Sequence, residues 1–412
     1  FVEVNSNTTR LRRLDEHFQK RKLIWIMFFI ILIVVIIVIA TIIAIINKTK
    51  REKTSTATTS TIEITSSTTS ELLTTTTTTR TTTTTMTTTT TTSELLTTTT
   101  TSEQFVSSVT INNNTKWKQN ACTVAGGNGL GSKLNELDEP QGIYVDNDDQ
   151  NIYIADTGNH RIVRWEFGAN IGTIVAGGNG PGNEIFRLNT PVDVVLDKDR
   201  KYIIICDQTN ARVTRWSRQN NQDRQLLIPD ILCWGLAIDN NGDLYISDFQ
   251  NHEVRRFQQG DKEGILVAGG NNYGDGLNQL NQPKHIFVDE NHSVYVADYM
   301  NNRVVKWMKN ANEGILVAPG EVSNEDPSSM SKPIGVIVDH IGNIYVSTNG
   351  NHQIMRWSPG ATAAIAVVGE EEVGWTPTHL LLPRDLSFDR HGNLYVVDMI
   401  YTKIQKFDID LD

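Results

Sequence analysis

Cysteine is nearly absent from this chain: three residues in 412, at positions 122, 206 and 233. So few thiols exclude a disulfide-built scaffold, and they exclude the Cys/His clusters that hold structural zinc. Helical periodicity is missing from the C-terminal three-quarters, where no apolar stripe recurs every 3.6 residues. A basic stripe is missing too. From Glu103 to Asp412 there are 26 Lys or Arg against 40 Asp or Glu, a balance of −14, whereas residues 1–102 carry 11 against 7. An acidic body of this kind is a poor partner for a phosphate backbone, so nucleic acid is not expected to bind.

What is present is a block of about 50 residues that recurs six times. Each copy reads approximately P-x-G-I-x-V-D, a polar turn, N-I-Y-V-A-D, and then a run ending in an aromatic residue. The aspartates closing the first run are Asp146, Asp197, Asp239, Asp289, Asp339 and Asp389, at intervals of 51, 42, 50, 50 and 50. Within each copy, β-branched and aromatic residues alternate with period two, as in Asn151 to Asp156, and turn residues bound the runs. Four short antiparallel strands per copy make a sheet that buries its faces only by stacking on neighbours around an axis. The expectation is an all-β, six-bladed propeller. The chain ends just after the third strand of copy six, and a spare outer strand, Thr123 to Gly127, precedes copy one. That strand is predicted to complete the last blade and close the ring. The 42-residue interval predicts one connecting loop about nine residues short.

The third run carries Asn-His-Arg-Ile at Asn159 to Ile162, with degraded versions at Asn251-His252, Asn302-Arg303 and Asn351-His352. These repeats resemble NHL repeats over roughly residues 122–407. The resemblance implies a six-bladed propeller of a family that mostly binds protein, RNA or carbohydrate partners and includes a few enzymes. Copy two departs with Ala211, copy five with Thr348 in place of Asp, and copy six with Tyr401-Thr402-Lys403, so the motif is not expected to be an active site. Peptide-amidating lyases, which this fold resembles, place zinc-binding His directly after the Pro. The corresponding residues here are Gln141, Val192, Trp234, Lys284, Ile334 and Arg384, with no His. The ubiquitin-ligase role of some intracellular relatives lacks its RING-type cluster.

The repeat itself separates structure from function. Asp156, Asp207, Asp248, Asp298 and Asp398 recur and are expected to bind turn amides. Trp165, Trp216, Phe257, Trp307, Trp357 and Phe407 are expected to pack between blades. Function is sought in residues that do not recur. At the Gly of P-x-G the six copies hold Gly142, Asp193, Gly235, His285, Gly335 and Asp385. Asp193, His285 and Asp385 thus fall in alternate blades, as half-exposed groups converging at the channel mouth; a carboxylate tying down its own loop is the plainer reading, a divalent metal the sharper one. The loops before strand one and after strand two carry Phe186, Phe249, Tyr273, Tyr299, Trp375 and Tyr401, candidate anchors for a ligand. No cofactor is expected.

Before the propeller the composition changes twice. Leu23 to Ile46 is 24 residues without a charge, about 36 Å as a helix, which predicts a transmembrane helix rather than a cleaved signal. Six basic residues precede it and four follow, favouring the N-terminus inside. From Thr54 to Ser108 the chain is dominated by Thr and duplicates a Ser-Glu-Leu-Leu-Thr segment at Ser70 and Ser93. It buries too little apolar surface to fold, and reads as a disordered, O-glycosylated stalk or an unmodified linker.

The expected organisation is a cytoplasmic tail over 1–22, the membrane helix over 23–46, the stalk over 47–115 and the propeller over 116–412. Asn47, Asn113 and Asn291 open glycosylation sequons, and Cys206 and Cys233 are a candidate disulfide between blades two and three. The initial Phe suggests that the natural N-terminus lies further upstream. The expected function is a single-pass type II cell-membrane protein whose extracellular propeller binds a protein or glycan, with the lipid bilayer as its other partner. The alternative is a metal-dependent lyase or hydrolase at the channel mouth.

Overall fold

A computed structural model describes residues 111–411, save 221, 321–329, 371–373 and 375. The expected membrane span at 23–46, the stalk to residue 110, Asn47 and Trp375 lie outside the described residues. Among the described residues no helix is long and apolar enough to cross a membrane.

Six four-stranded antiparallel sheets form the body. Blades one to five occupy residues 140–177, 191–228, 233–269, 283–318 and 333–368. Blade six combines Pro383–Phe388, Leu394–Asp398 and Lys403–Phe407 with Cys122–Gly126, which pairs with Lys403–Phe407 as the outer strand. The spare N-terminal strand therefore closes the ring. A second clasp lies beside it, where Lys116–Trp117 pairs with Ile409–Asp410. Trp117 is buried there; its indole Nε1 donates to the Gly392 carbonyl at 2.9 Å, and its ring lies against Tyr345 and Phe388. Ile111 is already part of this core.

The recurring residues take the structural roles expected of them. Asp156 accepts from the Asp138 amide at 2.7 Å, from Arg161 Nε at 2.6 Å and from Asn159 at 2.9 Å. Arg161 reaches on to the carbonyls of Ser132, Lys133 and Glu136, pinning the loop that precedes strand one. The His of the motif serves the next blade: His160 Nδ1 accepts from the Thr190 amide at 3.0 Å, and His252 repeats this with Gln282. His160 itself has φ 53°, a left-handed conformation that ends the short turn Thr157–Asn159. The six terminal aromatics are buried.

Strand one carries a register shift at its start in all six blades, between Pro140 and Ile143 in blade one and between Pro191 and Asp193 in blade two. This irregularity lies at the innermost strand, where neighbouring blades approach most closely. The short loop is also where spacing predicted it: residues 229–232 join blades two and three, against 178–190 between blades one and two. By strand direction it belongs to the face that carries the loops before strand one and after strand two.

Candidate functional site at the channel mouth

Alternate blades carry glycine at the innermost register, and packing explains why. A Cβ on Gly142 would lie 2.6 Å from Asp193 Oδ1, one on Gly235 would lie 2.6 Å from the His285 Cα, and one on Gly335 would meet the backbone of Arg384 at 2.8 Å. Glycine in odd blades gives the even blades room to send side chains to the axis. Asp193, His285 and Asp385 use that room. His285 Nδ1 is 3.4 Å from an Asp193 oxygen and 3.6 Å from an Asp385 oxygen, and one ligating atom from each of the three falls within a 4.8 Å cluster.

These residues are not the half-exposed groups the sequence suggested. Relative exposures of 2%, 3% and 8% put them inside the ring. The register shift of strand one spans this position in blades four and six. Each carboxylate also ties blades together. Asp193 accepts from the amides of Val194 and of Leu236 in blade three, both at 2.7 Å. Asp385 accepts from Leu386 at 2.9 Å and from Ile143 in blade one at 3.0 Å. Burial and the nearby Asp193 charge hold the Asp385 carboxyl above the usual carboxylate range, with His285 opposing them. Burial pushes the His285 imidazole down, but the two carboxylates outweigh it and leave its pKa raised. His285 Nε2 has no hydrogen-bond partner among the described residues.

One residue earlier, the side chains ring the mouth. Lys284 is buried, and its Nζ sits 3.1 Å from the Trp234 ring centroid and 5.1 Å from those of Phe249 and Tyr299. Trp234 and Phe249 meet edge to face at 5.7 Å. Ser247 Oγ donates to the Lys284 carbonyl at 2.6 Å and fixes its backbone against blade three. Desolvation, with the Arg384 charge added, lowers the Lys284 pKa to about 7. Arg384 is itself lowered by burial, with Tyr299 and Glu139 acting against the shift, and it leans on the Met399 sulfur at 2.9 to 3.0 Å. Among the described residues no carboxylate acts on Lys284, and the one that acts on Arg384 is Glu139, which forms no ion pair with it.

The mouth holds further polar atoms without partners among the described residues: Gln141 Oε1, Trp234 Nε1, Gln208 Nε2 and Asn349 Oδ1. Gln208 and Asn349 stand in blades two and five at the position that Phe249 and Tyr299 occupy in blades three and four.

Of the sequence-predicted aromatics, Phe249 and Tyr299 are brought together here. Phe186 and Tyr273 are exposed on outer loops, at 41% and 69%. Tyr401 lies in a separate groove of about 360 Å³ with Leu130 and Ile400, and its hydroxyl donates to the Gly374 carbonyl. Sequence reasoning noted Trp234, Lys284 and Arg384 only as positions lacking His. The signal was available: two cations and a Trp in a register whose other members are Gln, Val and Ile. A disulfide links Cys206 to Cys233 across blades two and three, with a Cα separation of 5.8 Å, while Cys122 is free and exposed. Asn113 and Asn291 are exposed.

Comparison with known proteins agrees with the architecture. Residues 137–165 and 232–257, in blades one and three, match the NHL repeat. No curated protein matches the chain. A structural genomics protein of unknown function from Bacteroides thetaiotaomicron superposes with a TM-score of 0.57 at 17% identity, covering 71% of this chain and 76% of that one. An auxiliary nutrient binding protein from the same organism gives 0.56 at 13% identity, covering 70% and 76%. At these identities the likeness is one of fold.

Proposed function

We propose that the protein is a membrane-tethered, extracellular recognition module, non-catalytic, whose propeller binds a protein or carbohydrate ligand at the face carrying the mouth. One observation carries this reading: the unrepeated side chains of that face, Trp234, Phe249, Tyr299, Lys284 and Arg384, gather at the axis, while the recurring motif residues hold blades and loops together. A rigid ring that holds aromatic and cationic groups in place loses little entropy on binding, and aromatics and Arg are the usual anchors of recognition. The likeness to an auxiliary nutrient binding protein is compatible with binding, although it is a likeness of fold alone.

The apolar run at Leu23 to Ile46 and the Thr-rich segment after it support the tether. The Cys206 to Cys233 bond and the exposed Asn113 and Asn291 sequons support an oxidising, glycosylating compartment for the propeller. Display of the full chain on cells, probed with extracellular-protein and glycan arrays, tests the reading. Capture that survives Phe249→Ala and Tyr299→Ala together would move recognition off this face.

A second reading, a metal-dependent lyase or hydrolase, is favoured by the convergence of Asp193, His285 and Asp385. The donor set suits a divalent ion. Against it, both carboxylates already bind two backbone amides each, which leaves fewer lone pairs for a metal. Metal analysis of the purified full chain, with and without His285→Ala, separates the two readings.

A further inference from the structure

A buried ammonium with no carboxylate near it is costly to keep charged, and a second, half-buried cation beside it raises the cost. Lys284 and Arg384 present this arrangement at the mouth, partnered by ring faces and a thioether. Ring faces attract a cation but do not neutralise it. Glu139 acts on Arg384 only from beyond ion-pair reach, and the axial carboxylates of Asp193 and Asp385 are turned to backbone amides and to His285. Among the described residues the mouth is therefore electrostatically incomplete without an anion.

The unpartnered atoms describe the rest of the ligand. Trp234 Nε1 is a donor and suits a ligand oxygen; the side-chain amides of Gln141, Gln208 and Asn349 carry both donors and acceptors and suit groups, such as hydroxyls, that can do either. An inorganic anion supplies no donors. A neutral sugar supplies hydroxyls but leaves the cations unmatched. A carboxylate and several hydroxyls on one compact ring meet both demands. The loop at residues 229–232, about nine residues shorter than that at 178–190, lies on this face beside Trp234.

We infer that the channel mouth binds an acidic monosaccharide unit, its carboxylate between Lys284 and Arg384 and its hydroxyls on Gln141, Gln208, Trp234 and Asn349. This rests on the recognition reading above and names the ligand class for it. Lys284 keeps its proton when the carboxylate arrives, because the new negative charge opposes the desolvation that lowers its pKa.

Calorimetric titration of the full chain in detergent micelles with D-glucuronate, D-glucose and an oligoglutamate peptide tests this. Glucuronate should bind, glucose should not, and Lys284→Met and Arg384→Gln should each weaken glucuronate at least tenfold. Lys284→Met removes a buried charge while keeping an apolar stem of similar length, so it should melt no lower than wild type, and lost binding will not reflect unfolding. Glucuronate binding that is absent, or unchanged in both variants, overturns the inference. So does Lys284-dependent binding of oligoglutamate without glucuronate, which would assign the mouth to peptide. If array capture by the full chain persists while glucuronate fails, this inference falls and the recognition reading stands; if array capture fails as well, both fall.

Discussion

His285 Nδ1 lies 3.4 Å from the carboxylate of Asp193, although the two belong to blades four and two and are separated by 92 positions in the chain. Asp385 of blade six approaches the same nitrogen at 3.6 Å. The imidazole between two buried carboxylates ties three alternate blades to the axis, and the tie weakens as the imidazole loses its proton.

The first prediction concerns that contact. His285→Ala leaves two buried carboxylates without a cation and should cost roughly 3–5 kcal/mol at pH 6. The folded pKa of His285 is raised above its unfolded value. Its contribution is therefore fully present below about pH 6.5 and is lost as pH rises through the folded value. The cost of the substitution should accordingly shrink by pH 9. Denaturant unfolding of both proteins at the two pH values checks this; a cost below 1 kcal/mol, or one indifferent to pH, contradicts it.

Blade six offers a gain of stability. Asp156, Asp207 and Asp298 each receive a guanidinium, from Arg161, Arg212 and Arg303. Asp398 has Lys403 at the equivalent position and takes its hydrogen bond from Gln405 at 2.7 Å, and burial raises its pKa to about 6. Because this folded pKa lies above the unfolded one, the group binds more protons when folded, and its charging penalty grows as pH rises from about 4 to 6. Lys403→Arg should stabilise the protein by about 1–2 kcal/mol at pH 7 and change little at pH 4. Melting curves at both pH values measure it.

The disulfide should matter more than its isolation suggests. Cys206 and Cys233 close a loop of 27 positions, worth about 3–4 kcal/mol in the chain-entropy view. The paired Cys206→Ser and Cys233→Ser change should lower the melting temperature by several degrees. An unchanged transition would show that the unfolded chain is not loosened by its loss.

Closure depends on the N-terminal clasp. Trp117→Ala removes a buried indole, its bond to Gly392 and two ring contacts, and should cost roughly 3–5 kcal/mol. Limited proteolysis should then cut near residue 120 before any other site. Equal protection of wild type and variant would mean the clasp is dispensable.

Orientation can be read on intact cells. If residues from Thr54 onward lie outside, as the uncharged run and the Thr-rich segment suggest, added protease should release the propeller. Release of only the basic N-terminal tail would reverse the topology.

The ring was legible in the sequence because each blade repeats the same local chemistry: period-two strands, an Asp to hold the turn amides and a terminal aromatic to pack. Even closure could be read, since Thr123 to Gly127 copies an outer strand that copy six lacks. These are short-range demands, set by backbone geometry and by the need to cover both faces of a sheet. What only the tertiary structure decided is which unrepeated residues meet. Lys284, Trp234 and Arg384 lie 50 or more positions apart in the chain, and nothing in their local pattern says that they face one axis at one height. Asp193, His285 and Asp385 shared a register in the sequence, yet their burial depended on closure of the ring and on the space left by Gly142, Gly235 and Gly335. Burial, and with it the cost of an unmatched charge, belongs to the closed ring rather than to any single blade.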